Sequence, residues 1–169
     1  GCLYGSAGAC PIMGTANTCQ TVTEALGIAL TNSASCLGVS AEKLRVSEET
    51  GRKAVELVKN DIKCLDIINK KSIENAIRVL MATGGSTNLI IHLIAIARRA
   101  NIDLKLDDFE RISKETPVLV NVKPHGTENV GMGFHNAGGV ASLMKEMEGM
   151  LNGDCLTVTG KTISENLKD

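Results

Sequence analysis

The sequence predicts a helix-rich α/β fold. Apolar residues recur at helical spacing through most of the chain, and two short runs rich in β-branched residues interrupt them. Aromatic residues make up only 2 % of the 169 positions, with no Trp, so the core has to be built from Ile, Leu, Val, Ala and Met. An apolar fraction of 43 % beside 22 % charged residues is globular composition, and the length suits one ordinary domain.

From Thr15 to Leu30, apolar Val22, Ala25, Leu26 and Ala29 mark a first helix. Ser40 is a good N-cap for a second that runs to about Asn60, with Lys43 where a capping box would carry an acid and with Leu44, Val55 and Val58 on its apolar side. Gly51 weakens the middle of that helix and marks a place for a break. Ser72 reads as the cap of a third helix, with Asn75 at the box position and Ile73, Ala76, Ile77, Leu80 and Met81 as its stripe, ending at Gly84-Gly85. A fourth helix starts at Ser86 or Thr87 and is apolar nearly all round until Arg98-Arg99, the pattern of a buried element. "LDDFERISKETP" is a short exposed helix that stops before Pro117. Val118 to Val122 ("VLVNV") reads as a strand, 123–136 as loop, 137–148 as a helix, "CLTVT" from Cys155 as a second short strand, and the chain from Thr162 as a capped helix. Two strands make a poor sheet on their own, so the chain reads as a piece of a larger fold.

A net charge of −1, with acids and bases interspersed, speaks against a nucleic-acid or anionic-membrane partner. The longest apolar run, "LIIHLIAIA" from Leu89 to Ala97, is too short to span a bilayer and carries a His. No basic start followed by an apolar block marks a signal peptide. Six cysteines (Cys2, Cys10, Cys19, Cys36, Cys64 and Cys155) are scattered irregularly through a chain that already has a core. That spacing favours a reducing, cytoplasmic setting in which most of the thiols act as small buried hydrophobes.

Three stretches carry chemistry. In "GACPIMGTANT", Cys10 stands on a turn just before a helix start, where unpaired backbone N–H groups favour a thiolate and small neighbours leave room beside the sulfur. A nucleophile, a redox thiol, a metal ligand and a merely packed cysteine all remain open: no local motif links Cys10 to a His, and Cys19 is too far along the helix for a redox pair. In "ATGGSTNLIIHL", paired glycines followed by Ser86, Thr87 and Asn88 suit a carboxylate or phosphate, or equally a helix end followed by a capped helix. His92, one turn on from Asn88, reads as a satisfied core residue rather than a ligand. In "GFHNAGGV", His135 and Asn136 precede Gly138-Gly139, which reads as close helix packing.

Together these segments resemble the dihydroxy-acid and sugar-acid (arabinonate, xylonate, 6-phosphogluconate) dehydratases that carry an iron–sulfur cluster. "GACPIMGTANT" is similar to the family's Gly-x-Cys-x-x-Met-x-Thr-Ala-Asn segment, and "TEALGIAL" to its Glu-Ala-Leu-Gly helix. "ENAIRVLMATGGSTNLIIHLIAIA", "LDDFERIS", the P-x-L-x-x-x-x-P-x-G pattern from Pro117 to Gly126, "HNAGGV" and "GDCLTVTGKTISEN" follow in the family's order. Any one of these would be weak; in register they are specific.

The resemblance implies a helix-rich part of the family's N-terminal dehydratase domain, with residues 1–169 as one partial domain corresponding to roughly the middle third of a member. It makes Cys10 a ligand to iron of a 2Fe-2S or 4Fe-4S cluster. The paired glycines, and the donors that Ser86, Thr87 and Asn88 offer at a helix start, are in turn expected to lie near the substrate in the full-length enzyme. The implied reaction removes water from a 2,3-dihydroxy carboxylic acid to give a 2-keto acid, with an open cluster iron as Lewis acid and a Mg²⁺ holding the carboxylate. The family's Cys-Asp-Lys segment, its carbamylated Lys, its glutamate metal ligand and its serine base have no counterpart in these residues. No catalytic residue is therefore assigned, the Mg²⁺ ligands lie outside the chain, and the isolated polypeptide is expected to be inactive. The expected partners are the hydroxy-acid substrate, the rest of the same enzyme and further copies in a homo-oligomer. Where relatives often read Met-Glu-Asp, this chain reads Met132-Gly133-Phe134. "PIMGTANT", "LVNVKPHG" and "LTVTGKTISEN" lean toward the sugar-acid branch, with the branched-chain amino-acid branch second; the alternative of another class is a non-catalytic fragment or anion-binding module with no metal at Cys10.

Overall fold

A computed structural model of the chain describes residues 8 and 10–168; Cys2 and Ala9 lie outside them. The chain winds through eight α-helices among the described residues: α1 (Thr15–Ala25), α2 (Ala41–Lys59), α3 (Cys64–Ile67), α4 (Lys70–Ala82), α5 (Asn88–Arg99), α6 (Leu106–Glu115), α7 (Gly139–Glu146) and α8 (Ile163–Asn166). A wide π-type turn, Val130–Phe134, precedes α7.

The helix α4 is the hub, packed against α1, α5 and α6. Its Ile73, Ala76, Ile77 and Leu80 join Val22, Leu26, Leu89, Leu93, Phe109 and Ile112 in one apolar cluster. Its Val79 and Ala82 face a second cluster with Met13, Val122, Phe134, Val140, Met147 and Ile163. Burial of aliphatic side chains on both sides of one helix is what a core with almost no aromatics requires.

The helix content matches the sequence reading, but the α/β class does not: no strand forms among the described residues, only two isolated bridges, Val122 with Glu128 and Leu156 with Thr162. The run from Val118 to Val122 is extended, yet the amides of Leu119 and Val120 both donate to the carbonyl of Ala82, at 2.8 and 3.2 Å. The open end of α4 takes these two amides, and the carbonyls of Asn121 and Val122 accept from Glu128 N and Gly126 N in the loop that follows, so no neighbouring strand is needed. The "CLTVT" run closes into a tight turn in which Thr157 N donates to Lys161 O at 3.0 Å.

Three helix ends differ from the positions their sequence patterns suggest. Asn69, not Ser72, caps α4; Ser72 is the third residue of a reciprocal box, its amide donating to Asn69 Oδ1 at 3.1 Å and its hydroxyl accepting from Asn69 N at 2.9 Å. Asn75 is buried instead, and holds Asn152. The first helix ends at Ala25 rather than near Leu30, and the Gly27 carbonyl turns to accept from Val158 N at 2.8 Å. The last long helix starts at Gly139 rather than Ala137. Gly51 does not break α2, which runs unbroken from the Ser40 cap.

Two helices expose more apolar surface than their patterns promised. No residue of α2 is buried, and Leu44 and Val58 are 75 % and 81 % exposed. Only Leu89, Leu93 and Ala97 of α5 are buried, with Ile91 70 % exposed. Of the described cysteines only Cys155 is buried; Cys10 and Cys64 are exposed, which corrects the reading of most thiols as core residues. No helix among the described residues is long and apolar enough to cross a membrane.

Candidate functional site

The two sequence segments singled out for chemistry meet at one place. The Cys10 turn leads into α1 through Gly14, and the Gly84–Asn88 turn leads into α5. Thr15, the first residue of α1, lies with its Oγ1 3.2 Å from Ser86 Oγ and accepts from Asn88 Nδ2 at 2.8 Å. Thr18 Oγ1 accepts from Ser86 N at 3.0 Å while donating to Gly14 O at 2.8 Å. Asn88 is the first residue of α5, so the positive ends of two helix dipoles converge here, and neither first turn holds an acid. Such a locus favours an anion.

Missing side chains make this convergence possible: a Cβ on Gly85 would lie 2.6 Å from Thr18 Cγ2 of α1. Gly84, at φ +56°, leaves room for the His125 ring, whose Cε1 would lie 2.6 Å from a Cβ there. His125 is itself fixed by its Nε2, which donates to Val120 O at 2.8 Å. Ser86, not Thr87, supports the start of α5: its hydroxyl accepts from Asn88 N at 3.3 Å, whereas Thr87 makes no side-chain cap bond and is exposed.

Cys10 is exposed, on a turn held by its neighbours. Pro11 O accepts from Val130 N at 2.9 Å and Met13 N donates to Lys123 O at 2.7 Å, so the 121–130 loop is laced along it. Asn17, only 5 % exposed, donates from Nδ2 to the Ile12 carbonyl at 2.7 Å and to that of Cys10. No group of three or more His, Cys, Asp or Glu that could hold a metal gathers among the described residues, and no disulfide links the described cysteines. The donor available on this turn is the single exposed Cys10 sulfur, which suits one ligand of an iron–sulfur cluster whose further ligands come from outside the described residues.

His92 is exposed on α5, which corrects its reading as a core residue, and His135 is half-buried in the turn before α7. At the Met132-Gly133-Phe134 departure, Phe134 is buried in the core, and a side chain at Gly133 would press on Glu128 Cβ at 2.8 Å.

The sequence reading missed Asn17, His125 and Glu24, and gave buried Asn75 a capping role in place of its hold on Asn152. Glu24, at the far end of α1, is 6 % exposed and accepts from the amides of Asn32 (2.7 Å) and Ala34 (3.0 Å). Burial pushes its carboxyl up to about 7, opposed by those two amide bonds. Glu24 lies one turn after buried Thr21 on the inward side of α1, a placement that only the fold reveals. A raised carboxyl contributes stability below its ordinary value that is lost as pH rises through about 7. Chemical denaturation of the chain is therefore expected to show stability falling between about pH 5 and pH 8, by on the order of 3 kcal/mol. Glu24→Gln is expected to flatten that fall; a slope unchanged in the variant would assign it to another group.

Residues 1–166 match the family model described as the N-terminal domain of dihydroxy-acid/6-phosphogluconate dehydratases. The chain is 50 % identical to a dihydroxy-acid dehydratase of Polynucleobacter asymbioticus over 164 residues, 96 % of this chain and 29 % of that protein. Dihydroxy-acid dehydratases of Polaromonas naphthalenivorans and Burkholderia pseudomallei are each 48 % identical over the same shares. The chain thus spans 29 % of the length of these relatives, and its match to an N-terminal domain corrects the placement in a middle third. On the converging turns, the ordered motifs and this match, the chain belongs to the dihydroxy-acid/6-phosphogluconate dehydratase family, as part of its N-terminal domain.

Proposed function

We propose that this chain is the part of a dihydroxy-acid dehydratase that presents one cluster ligand and a substrate-facing turn. The reaction is the removal of water from a branched 2,3-dihydroxy acid to leave a 2-keto acid, in branched-chain amino-acid synthesis in the cytoplasm. The names of the relatives favour this branch over the sugar-acid branch toward which the local motifs lean.

The observation that carries the reading is the convergence of the α1 and α5 N-termini through Thr15, Ser86 and Asn88. Cys10 would hold iron of a 2Fe-2S or 4Fe-4S cluster through its Sγ. When bound, that group supplies an open iron as Lewis acid for the departing hydroxyl, beside a Mg²⁺ whose ligands lie elsewhere in the enzyme. The residues here bind and orient. The two helix ends favour the substrate carboxylate, the Ser86 and Thr87 hydroxyls offer it donors, and Asn88 with Thr15 fixes the turn that carries them.

Two measurements on the full-length enzyme test this. Keto-acid formation from a branched 2,3-dihydroxy acid is expected to exceed that from straight-chain sugar acids; turnover with sugar acids alone would return the assignment to that branch. Thr87→Ala, which removes an exposed hydroxyl with no cap bond, is expected to leave stability within about 0.5 kcal/mol while lowering kcat/KM. Unchanged kinetics would remove Thr87 from the substrate turn.

A further inference from the structure

We propose that Asn17 is the positioning residue for Cys10: its side-chain amide gathers the two carbonyls that flank Pro11 and so sets where the Cys10 sulfur stands. The proposal rests on the reading of Cys10 as a cluster ligand, and extends it to the residue that orients that ligand.

The turn from Cys10 to Met13 has a backbone problem. Pro11 has no N–H, so the turn cannot close on its own donor at that position. Each carbonyl is nevertheless satisfied from elsewhere: Pro11 O by Val130 N at 2.9 Å, and those of Cys10 and Ile12 both by Asn17 Nδ2, the latter at 2.7 Å. The fourth anchor is Met13 N, which donates to Lys123 O at 2.7 Å. Of these partners only Asn17 acts through a side chain. It sits on the third position of α1, where a capping residue would ordinarily accept from the chain behind it, and here it donates instead.

The residue type follows from the chemistry. An amide nitrogen carries two N–H groups, one for each carbonyl, and a buried side chain in that place needs both. Aspartate has the same shape but, ionised, only accepts, so it would set a negative charge against two carbonyl oxygens. With both carbonyls drawn inward toward Asn17, the Cys10 side chain is left on the outer, exposed side of the turn. Residues that orient a metal's ligand commonly matter to the metal site nearly as much as the ligand, typically by 10–100-fold in affinity or activity.

The test uses full-length protein, as wild type, Asn17→Asp, Asn17→Ala, Asn17→Ser and Cys10→Ser. In the metal-free protein, timed alkylation with iodoacetamide is read by mass spectrometry at Cys10, with exposed Cys64 on α3 and buried Cys155 as references. Asn17→Asp and Asn17→Ala are expected to change the Cys10-to-Cys64 rate ratio several-fold while Cys155 stays protected; Asn17→Ser, which keeps one donor, falls between. After anaerobic reconstitution, the same variants are expected to release iron to a chelator about 10-fold or more faster, with altered EPR g-values in the reduced cluster. An unchanged Cys10-to-Cys64 ratio together with wild-type iron release in Asn17→Ser and Asn17→Asp overturns the proposal. If Asn17→Asp exposes Cys155, it has unfolded and Asn17→Ser alone decides between those two results. Failure of the underlying reading shows differently: Cys10→Ser then retains iron and sulfide at the wild-type level, whatever Asn17 does.

Discussion

Replacing Cys10 by Ser in the full-length enzyme is expected to remove most of the iron and sulfide, and to lower turnover by on the order of 100-fold or more. Iron–sulfur clusters are held by thiolates, and a serine hydroxyl at neutral pH supplies no comparable anionic sulfur. A bound cluster itself stabilises the fold by mass action, so the melting temperatures to compare are those of the metal-free proteins. Cys10 is exposed, so metal-free Cys10→Ser is expected to lie within about 0.5 kcal/mol of metal-free wild type. Loss of cluster with that agreement is the signature of a ligand; a metal-free variant that melts well below metal-free wild type would indicate a structural thiol, and a retained cluster would end the ligand assignment.

The second large effect is expected at Gly126. The loop it belongs to is drawn tight: Gly126 N donates to Val122 O at 2.7 Å, Thr127 N to Asn121 Oδ1 at 3.1 Å, and Lys123 N to Glu128 O at 2.8 Å. A Cβ on Gly126 would collide with the Asn121 carbonyl carbon and stand 2.5 Å from Val122 N. Backbone cannot step aside as a flexible side chain can, so Gly126→Ala is expected to cost about 3 kcal/mol. The same loop supplies Lys123 O and Val130 N to the Cys10 turn, so iron retention should fall along with stability. Gly51→Ala is the control, because nothing lies within 4 Å of a Cβ there and α2 is regular around it. That change is expected to stabilise by about 0.5–1 kcal/mol. Urea unfolding of the two variants reads both signs; a Gly126→Ala cost below about 0.5 kcal/mol would mean the loop yields, and its hold on the Cys10 turn would be weak.

What the sequence made legible were features written over a few residues. Ser40 caps α2 and Thr162 with Glu165 boxes α8, because each cap is complete within four positions. Ser72 looked like a cap for the same local reason, since it is the other half of the Asn69 box. The expected strands failed because a β-branched run reports extended backbone on a packed surface, and at 118–122 the Ala82 carbonyl together with the loop to Glu128 met that need without a sheet. Distant pairings were not legible. Asn75 meets Asn152 across 77 residues, and nothing near either announces the other. The same holds for the site: the Cys10 and Ser86 turns stood out separately, but their junction joins Thr15 to Ser86 across 71 residues of chain. Glu24 and Asn17 escaped notice because a polar residue inside a helix becomes informative only once its burial is known.

The central claim is that Cys10 carries iron at the point where the α1 and α5 N-termini converge. Its most direct test is the anomalous scattering of crystals of the anaerobically reconstituted full-length enzyme, recorded on either side of the iron absorption edge. The expected result is an iron peak at bonding distance from Cys10 Sγ, beside the Thr15–Ser86–Asn88 junction. An iron peak remote from Cys10, with its sulfur making no contact to the metal, would contradict the account.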